Sequence, residues 1–248
     1  MDAHVFWAWD RAALTDLASL CTTDDCRRAA ANATTTGLSL RLASYGLLRF
    51  ALIQHYPAAG ESIVSRHSSG QPYLPDWPDI SVSISHTSIG VAVAVSQRSK
   101  VGVDIEADQD PSTWHDVGKF ITPDTHHDAQ SLLRLWTASE ACAKSHGLGL
   151  PAVAAVHVPF DPSDNRTQTV TWNGLAQRDV SVRAIQSGAL AYAVSAGAAV
   201  TVTELRESMI KCSTPAITAV TTPDNAMAHK RPDNPQTSGS SKISGTIT

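Results

Sequence analysis

Between Gly37 and Tyr56, apolar residues recur every three or four positions: Leu38, Leu42, Tyr45, Leu48, Leu52 and His55 fall on one stripe. This is the spacing of a helix with one buried side, and Pro57 closes it. Beyond a polar, proline-rich stretch the pattern shortens. Ile80 to Ser85, Val91 to Ser96 and Val101 to Glu106 are β-branched runs separated by the turn segments 87–90 and 97–100, so three successive antiparallel strands are expected. The scheme then recurs. Asp128 to Gly147 carries Leu132, Leu135, Trp136, Ser139 and Ala143 at helical spacing, followed by apolar runs near 153–158, 168–172, 179–185 and 190–196. Leu40-Arg41-Leu42 and Leu133-Arg134-Leu135 sit inside the two main helices. Helix then sheet, twice over, predicts an α+β protein of two similar helix-plus-antiparallel-sheet halves.

The apolar pattern breaks at Asp108-Gln109-Asp110-Pro111, which reads as a linker. That places an N-terminal half at 1–108 and a C-terminal half at 109–208. The remainder, 209–248, is read as a disordered tail, because from Ser213 onward there is no aromatic residue and no leucine to bury.

Composition narrows the function classes. With 19 Lys plus Arg against 23 Asp plus Glu, the net charge is −4, which argues against a general nucleic-acid binder. No apolar run approaches the roughly 18 residues of a membrane helix. The opening Met1 to Asp10 also lacks the basic-then-apolar order of a secretion signal. The chain therefore reads as a soluble, cytoplasmic protein. Its cysteines, at 21, 26, 142 and 212, form neither a disulfide framework nor a Cys-x-x-Cys zinc pair. His126-His127 reads as a polar helix start rather than a zinc site, since adjacent side chains diverge on a helix.

Three segments carry candidate chemistry. In Val101 to Glu106, strand alternation puts Asp104 and Glu106 on one face and Val103 and Ile105 on the other. Two converging carboxylates suit a hard cation, and they equally suit a solvated strand end. In Trp136 to Lys144, Glu140 and Lys144 stand at i and i+4, so a carboxylate and an ammonium share one helix face. The same spacing also describes an ordinary surface pair. In Ile84-Ser85-His86-Thr87, two hydroxyls and an imidazole gather where a strand turns, which suits a phosphate or a self-satisfied turn.

Taken in order, Ser85-His86, then Gly102-Val103-Asp104-Ile105-Glu106, then Trp136-Thr137-Ala138-Ser139-Glu140-Ala141-Cys142-Ala143-Lys144 resemble the 4′-phosphopantetheinyl transferases. Gly70-Gln71-Pro72 is similar to the Gly-Lys-Pro segment that precedes the Ser-His strand in that family. The resemblance spans residues 37–197, and the length resembles that of the larger, pseudodimeric Sfp-type members. It implies two halves related by a pseudo-two-fold axis in a monomer, with the site between them. It further implies transfer of 4′-phosphopantetheine from coenzyme A to a serine of an apo carrier protein or carrier domain, leaving adenosine 3′,5′-bisphosphate, with Mg2+ or Mn2+ as cofactor. By resemblance, Asp104, Glu106 and Glu140 would hold the metal, and Asp104, Glu140 and Lys144 would be catalytic. Lys144 would lie near the pyrophosphate, while Ser85, His86 and Arg41 would join it in binding coenzyme A. Cys142 would be a packing residue.

Several positions depart from the family pattern. Gln71 and Ser139 stand where lysines are usual, and Thr125 stands where a glutamate proposed as base belongs, leaving Asp124 or a water held through Asp104. Two other readings stay open on these departures: a non-catalytic relative that binds coenzyme A or a carrier, and a metal-dependent hydrolase of coenzyme A. Fatty-acid, polyketide, nonribosomal-peptide and lysine-biosynthesis carriers all remain open as partners.

Overall fold

The computed structural model describes residues 2–31, 35–122, 127–148, 159–172 and 174–212. Its elements in chain order are β1 (Asp2–Ala8), α1 (Arg11–Ala18), α2 (Thr23–Ala30), α3 (Thr35–His55), β2 (Ser65–Arg66), β3 (Pro72–Tyr73), β4 (Ile80–Thr87), β5 (Gly90–Gln97), β6 (Val101–Ala107), α4 (Pro111–Ile121), α5 (Ala129–Ser145), β7 (Gln168–Val170), β8 (Arg178–Ile185), β9 (Gly188–Ser195) and β10 (Ala199–Glu204). The protein is α+β, as expected. The apolar run at 153–158, Asp124, Thr125, His126 and the segment from Ser213 onward lie outside the described residues. Among the described residues, no helix is long and apolar enough to cross a membrane.

Helix starts follow local chemistry. Asp10, Asp110 and Asp128 each accept a backbone N–H at the start of α1, α4 and α5, and Thr22 with Asp25 forms a reciprocal capping box on α2. Pro111, inside the stretch read as a linker, occupies the first turn of α4, where its missing N–H costs nothing.

Two four-stranded sheets form, in the orders β10-β1-β5-β4 and β6-β9-β8-β7. Here the structure corrects one expectation. Strands β4 and β5 pair antiparallel as a hairpin, but β6 does not continue that meander; it pairs antiparallel with β9, residue Asp104 opposite Ala191. In return, β10 runs back to lie parallel to β1, with Val5 opposite Val202. Each sheet therefore takes one strand from the other half of the chain.

The layers run helix, sheet, sheet, helix. Leu17 of α1 and Leu47, Leu48 and Leu52 of α3 bury against Val82, Val91, Val93 and Val95 on one side of the first sheet. Leu132, Leu135 and Ala138 of α5, with Trp114 of α4, bury against Val180, Val182, Ala189 and Ala191 of the second. Between the sheets, Val5, Trp7, Ala92 and Ala94 meet Val103, Ile105, Leu190 and Tyr192. Central strands are thus covered on both faces. This explains why Val91 to Val95 and Ala189 to Val194 read as unbroken apolar runs instead of alternating ones.

Two close approaches depend on glycine. A Cβ at Gly46 would sit 1.7 Å from the Leu17 carbonyl oxygen, and one at Gly102 would sit 1.9 Å from that of Ala141. The second brings α5 hard against β6, the two elements that carry the carboxylates. Within the first core, the fully buried Arg49 of α3 donates to both oxygens of Asp25 at 2.7 Å and to the carbonyls of Gly60 and Ser62. That network ties α2 and the 60–62 segment to α3.

Candidate functional site

The site begins where the edges of the two sheets meet. β4 presents Ser81, Ser83 and Ser85 at alternate positions, all toward β6. The first two hydroxyls accept the N–H groups of Val101 (3.3 Å) and Val103 (3.1 Å), and the third donates to Asp104 Oδ1 at 2.7 Å. A ladder of hydroxyls therefore replaces backbone pairing between these edge strands, and its last rung places Ser85 on the buried Asp104 carboxylate. The Ser-x-Ser-x-Ser pattern, visible in the sequence, is the signal that a purely turn-based reading of Ser85 passes over.

From the opposite side α5 contributes Glu140 and Lys144, one turn apart. Lys144 Nζ lies 2.5 Å from Asp104 Oδ1, 3.2 Å from Ser85 Oγ and 3.3 Å from Glu140 Oε2. Asp104 Oδ2, by contrast, is buried and finds no hydrogen-bond partner among the described residues. Glu106 completes the group: one carboxylate oxygen from each of Asp104, Glu106 and Glu140 lies within 4.8 Å of the others. Trp136 packs against the second core and turns its indole N–H onto Glu106 Oε1 at 3.1 Å, a fixing contact absent from the sequence reading.

The electrostatics follow from burying three like charges together. Burial, then the Asp104 and Glu140 charges, push the Glu106 carboxyl up to about 8. Burial and the Asp104 charge push Glu140 up to about 7, against the pull of Lys144. For Lys144 burial works against the ammonium, but Asp104 and Glu140 outweigh it and its pKa is raised. A cluster of this kind fits a hard divalent cation. Its donors are all carboxylate oxygens with no thiolate or imidazole among them, and Asp104 Oδ2 is an unpartnered acceptor at the centre.

These side chains floor a cavity of about 650 Å³. Arg28, Arg41 and Arg66, with His86 and Tyr45, also line it, and Arg28 is paired with Asp24 at 2.5 Å. The His86 imidazole is held below its ordinary pKa by desolvation and by the charges of Arg41, Lys144 and Arg66. Nothing in the sequence pattern singles out Arg66. Arg66 belongs to the β2–β3 hairpin, where its Nη1 donates to the Gly70 carbonyl at 2.7 Å. A chain of net charge −4 thus gathers three of its arginines and Lys144 along this one cavity.

The two positions lacking family lysines behave differently. Ser139 is buried in α5, away from solvent, and Gln71 turns its amide onto the Lys144 carbonyl at 3.3 Å. Cys142 is fully buried in the second core, its thiol pushed up to about 11 by burial, in keeping with a packing role.

The chain is 31% identical over 90 residues to a 4′-phosphopantetheinyl transferase of Bacillus subtilis. The resemblance to the 4′-phosphopantetheinyl transferase superfamily holds. The match covers 33% of this chain and spans 39% of that relative's length. No protein-family model matches the chain.

Proposed function

We propose that the protein transfers 4′-phosphopantetheine from coenzyme A to a serine of an apo carrier protein and releases adenosine 3′,5′-bisphosphate. The observation that carries this reading is the meeting, in one cavity, of a buried carboxylate triad with Lys144 and three arginines. A ligand there needs both a cation-bridged anionic centre and further phosphate groups, and coenzyme A offers a pyrophosphate and a 3′-phosphate.

In this reading Asp104, Glu106 and Glu140 hold Mg2+, which would neutralise charge on the pyrophosphate oxygens as the bond to the leaving phosphate breaks. Lys144 supplies a second, fixed positive charge beside the same oxygens. Arg41, Arg66 and His86 orient the nucleotide end through its phosphates, while the Ser85 hydroxyl, which donates to Asp104, holds that carboxylate in place. The carrier hydroxyl forms a new bond to the phosphorus bearing pantetheine, its proton passes to a base, and the nucleotide departs with the bridging oxygen. Holding the two reactants in line supplies much of the rate. The two helix-backed sheets suit the pseudo-two-fold, monomeric organisation of the larger members, with halves at 1–108 and 109–208 that exchange one strand each, β6 and β10.

Purified protein incubated with coenzyme A, Mg2+ and a panel of apo carriers is expected to add the mass of one phosphopantetheine to at least one of them. Binding of coenzyme A without product would instead mark a non-catalytic relative, and carrier-independent cleavage of coenzyme A would mark a hydrolase.

A pH dependence follows from the triad. In an unfolded chain the two glutamates ionise near 4.5; in the fold they do so at about 8 and about 7. Between these limits the unfolded chain holds fewer protons, so metal-free stability falls as pH rises from about 4.5 toward 8. A cation that binds the ionised triad offsets that loss. The rise in Tm on adding Mg2+ is therefore expected to be small at pH 5.5 and to grow through pH 7 to 8. A rise that is the same at both ends would count against the triad as the binding site.

A further inference from the structure

The last turn of α5, which carries Lys144, is gripped from both sides. Arg178, the first residue of β8 and only 6% exposed, donates from Nε to Ser145 Oγ (3.0 Å) and from Nη2 to the Ser145 carbonyl (3.3 Å). Its Nη2 also lies 3.3 Å from His146 Nδ1, and Nη1 donates to the Gln177 carbonyl at 3.0 Å. Ser145 Oγ in turn donates to the Cys142 carbonyl at 2.7 Å. Every acceptor that Arg178 reaches among the described residues is a carbonyl, a hydroxyl or an imidazole. A buried guanidinium thus finds its counter-charge in the negative end of a helix, whose last carbonyls lack helical partners.

On the other side, Gln71 Nε2 donates to the Lys144 carbonyl at 3.3 Å from the β2–β3 hairpin. Gln71 lies flat against Gly147, where a Cβ would come within 2.6 Å of Oε1, and Gly147 adopts φ +74, a backbone that favours glycine. The position where the family carries a lysine is here a tether between the hairpin and the helix.

We propose that Arg178 and Gln71 form a clamp on the C-terminal turn of α5 that positions the Lys144 ammonium over Asp104. Both are positioning residues. Helix ends fray, and Lys144 reaches Asp104 on a long, flexible side chain that is still 29% exposed; fixing its backbone limits where the ammonium can go. The proposal deepens the transferase reading and rests on it for its catalytic consequence alone.

The clamp is tested on the full-length protein without reference to turnover. In Arg178→Lys and Gln71→Ala, brief acetylation read by mass spectrometry is expected to label Lys144 about tenfold and a few-fold faster, respectively, than in the parent protein. Lys100, Lys119 and Lys211 should label at unchanged rates. Amide exchange at 144–148 should rise while that of β9 stays fixed. Unchanged protection of Lys144 in both variants, or in Gln71→Ala if Arg178→Lys does not fold, would overturn the proposal. In the transfer assay, Arg178→Lys is expected to lower kcat about tenfold and to have no further effect in a Lys144→Ala background. Additive losses would assign Arg178 a general structural role instead. Absence of transfer by the parent protein would reject the transferase reading and leave the labelling result to decide the clamp.

Discussion

On the proposed transferase function, Asp104→Asn is expected to lower carrier modification by roughly 10³-fold or more while the protein stays folded. Asp104 is the carboxylate on which Ser85 and Lys144 converge. Its Oδ1 receives Ser85 and Lys144, its Oδ2 is buried with no partner, and its charge raises the pKa of both Glu106 and Glu140. An amide keeps the shape but removes a ligand charge and turns an N–H₂ toward either the cation or the lysine. Because the substitution also relieves repulsion among three buried carboxylates, the metal-free variant should unfold at a temperature equal to or above that of the parent protein. The gain in Tm on adding Mg2+ should disappear. Transfer within tenfold of the parent rate would remove Asp104 from the centre of the site, whatever became of the fold.

The second large effect concerns stability. Asp25→Ala is expected to destabilise the fold by about 3–5 kcal/mol, measured by urea unfolding. The carboxylate is fully buried, accepts two donors from the equally buried Arg49, and also closes the capping box at the start of α2. Removing it strands a guanidinium in the core beside the Gly60 and Ser62 carbonyls. The loss should reach function indirectly, since α2 presents Arg28 to the cavity and α3 presents Arg41. A cost below about 1 kcal/mol would mean that water reaches Arg49 and that the network is not closed.

The elements legible in the sequence were those whose burial leaves a periodic trace. α3 and α5 announce themselves through a 3.6-residue stripe, and β4, β5, β6, β8 and β9 through β-branched runs, with ends within about two residues of those observed. β1 leaves no periodic trace, because Asp2 to Ala8 is covered on both faces at most positions, which erases alternation. β10 is an edge strand whose partner, β1, lies some 200 residues away, so its pairing leaves no local signal. The destination of β6 was invisible for the same reason. A short turn after β5 predicts a hairpin, yet the strand crosses to the other sheet, where Val103 and Ile105 lie beside Tyr192 and Leu190 of β9 and face Val5, Trp7, Ala92 and Ala94 of the first sheet.

The site divides along the same line. Local spacing alone determined that Asp104 and Glu106 share a face of one strand and that Glu140 and Lys144 share a face of one helix, because both follow from backbone periodicity. The order of these motifs supplied the resemblance. Only the tertiary structure decided that the strand and the helix meet, through the close approach at Gly102, and that Ser85 is spent on Asp104. It likewise decided that Gln71 tethers α5 and that Arg28 and Arg66 line the cavity. Those facts depend on contacts between residues far apart in the chain, and side-chain reach across an interface has no period from which a sequence could report it.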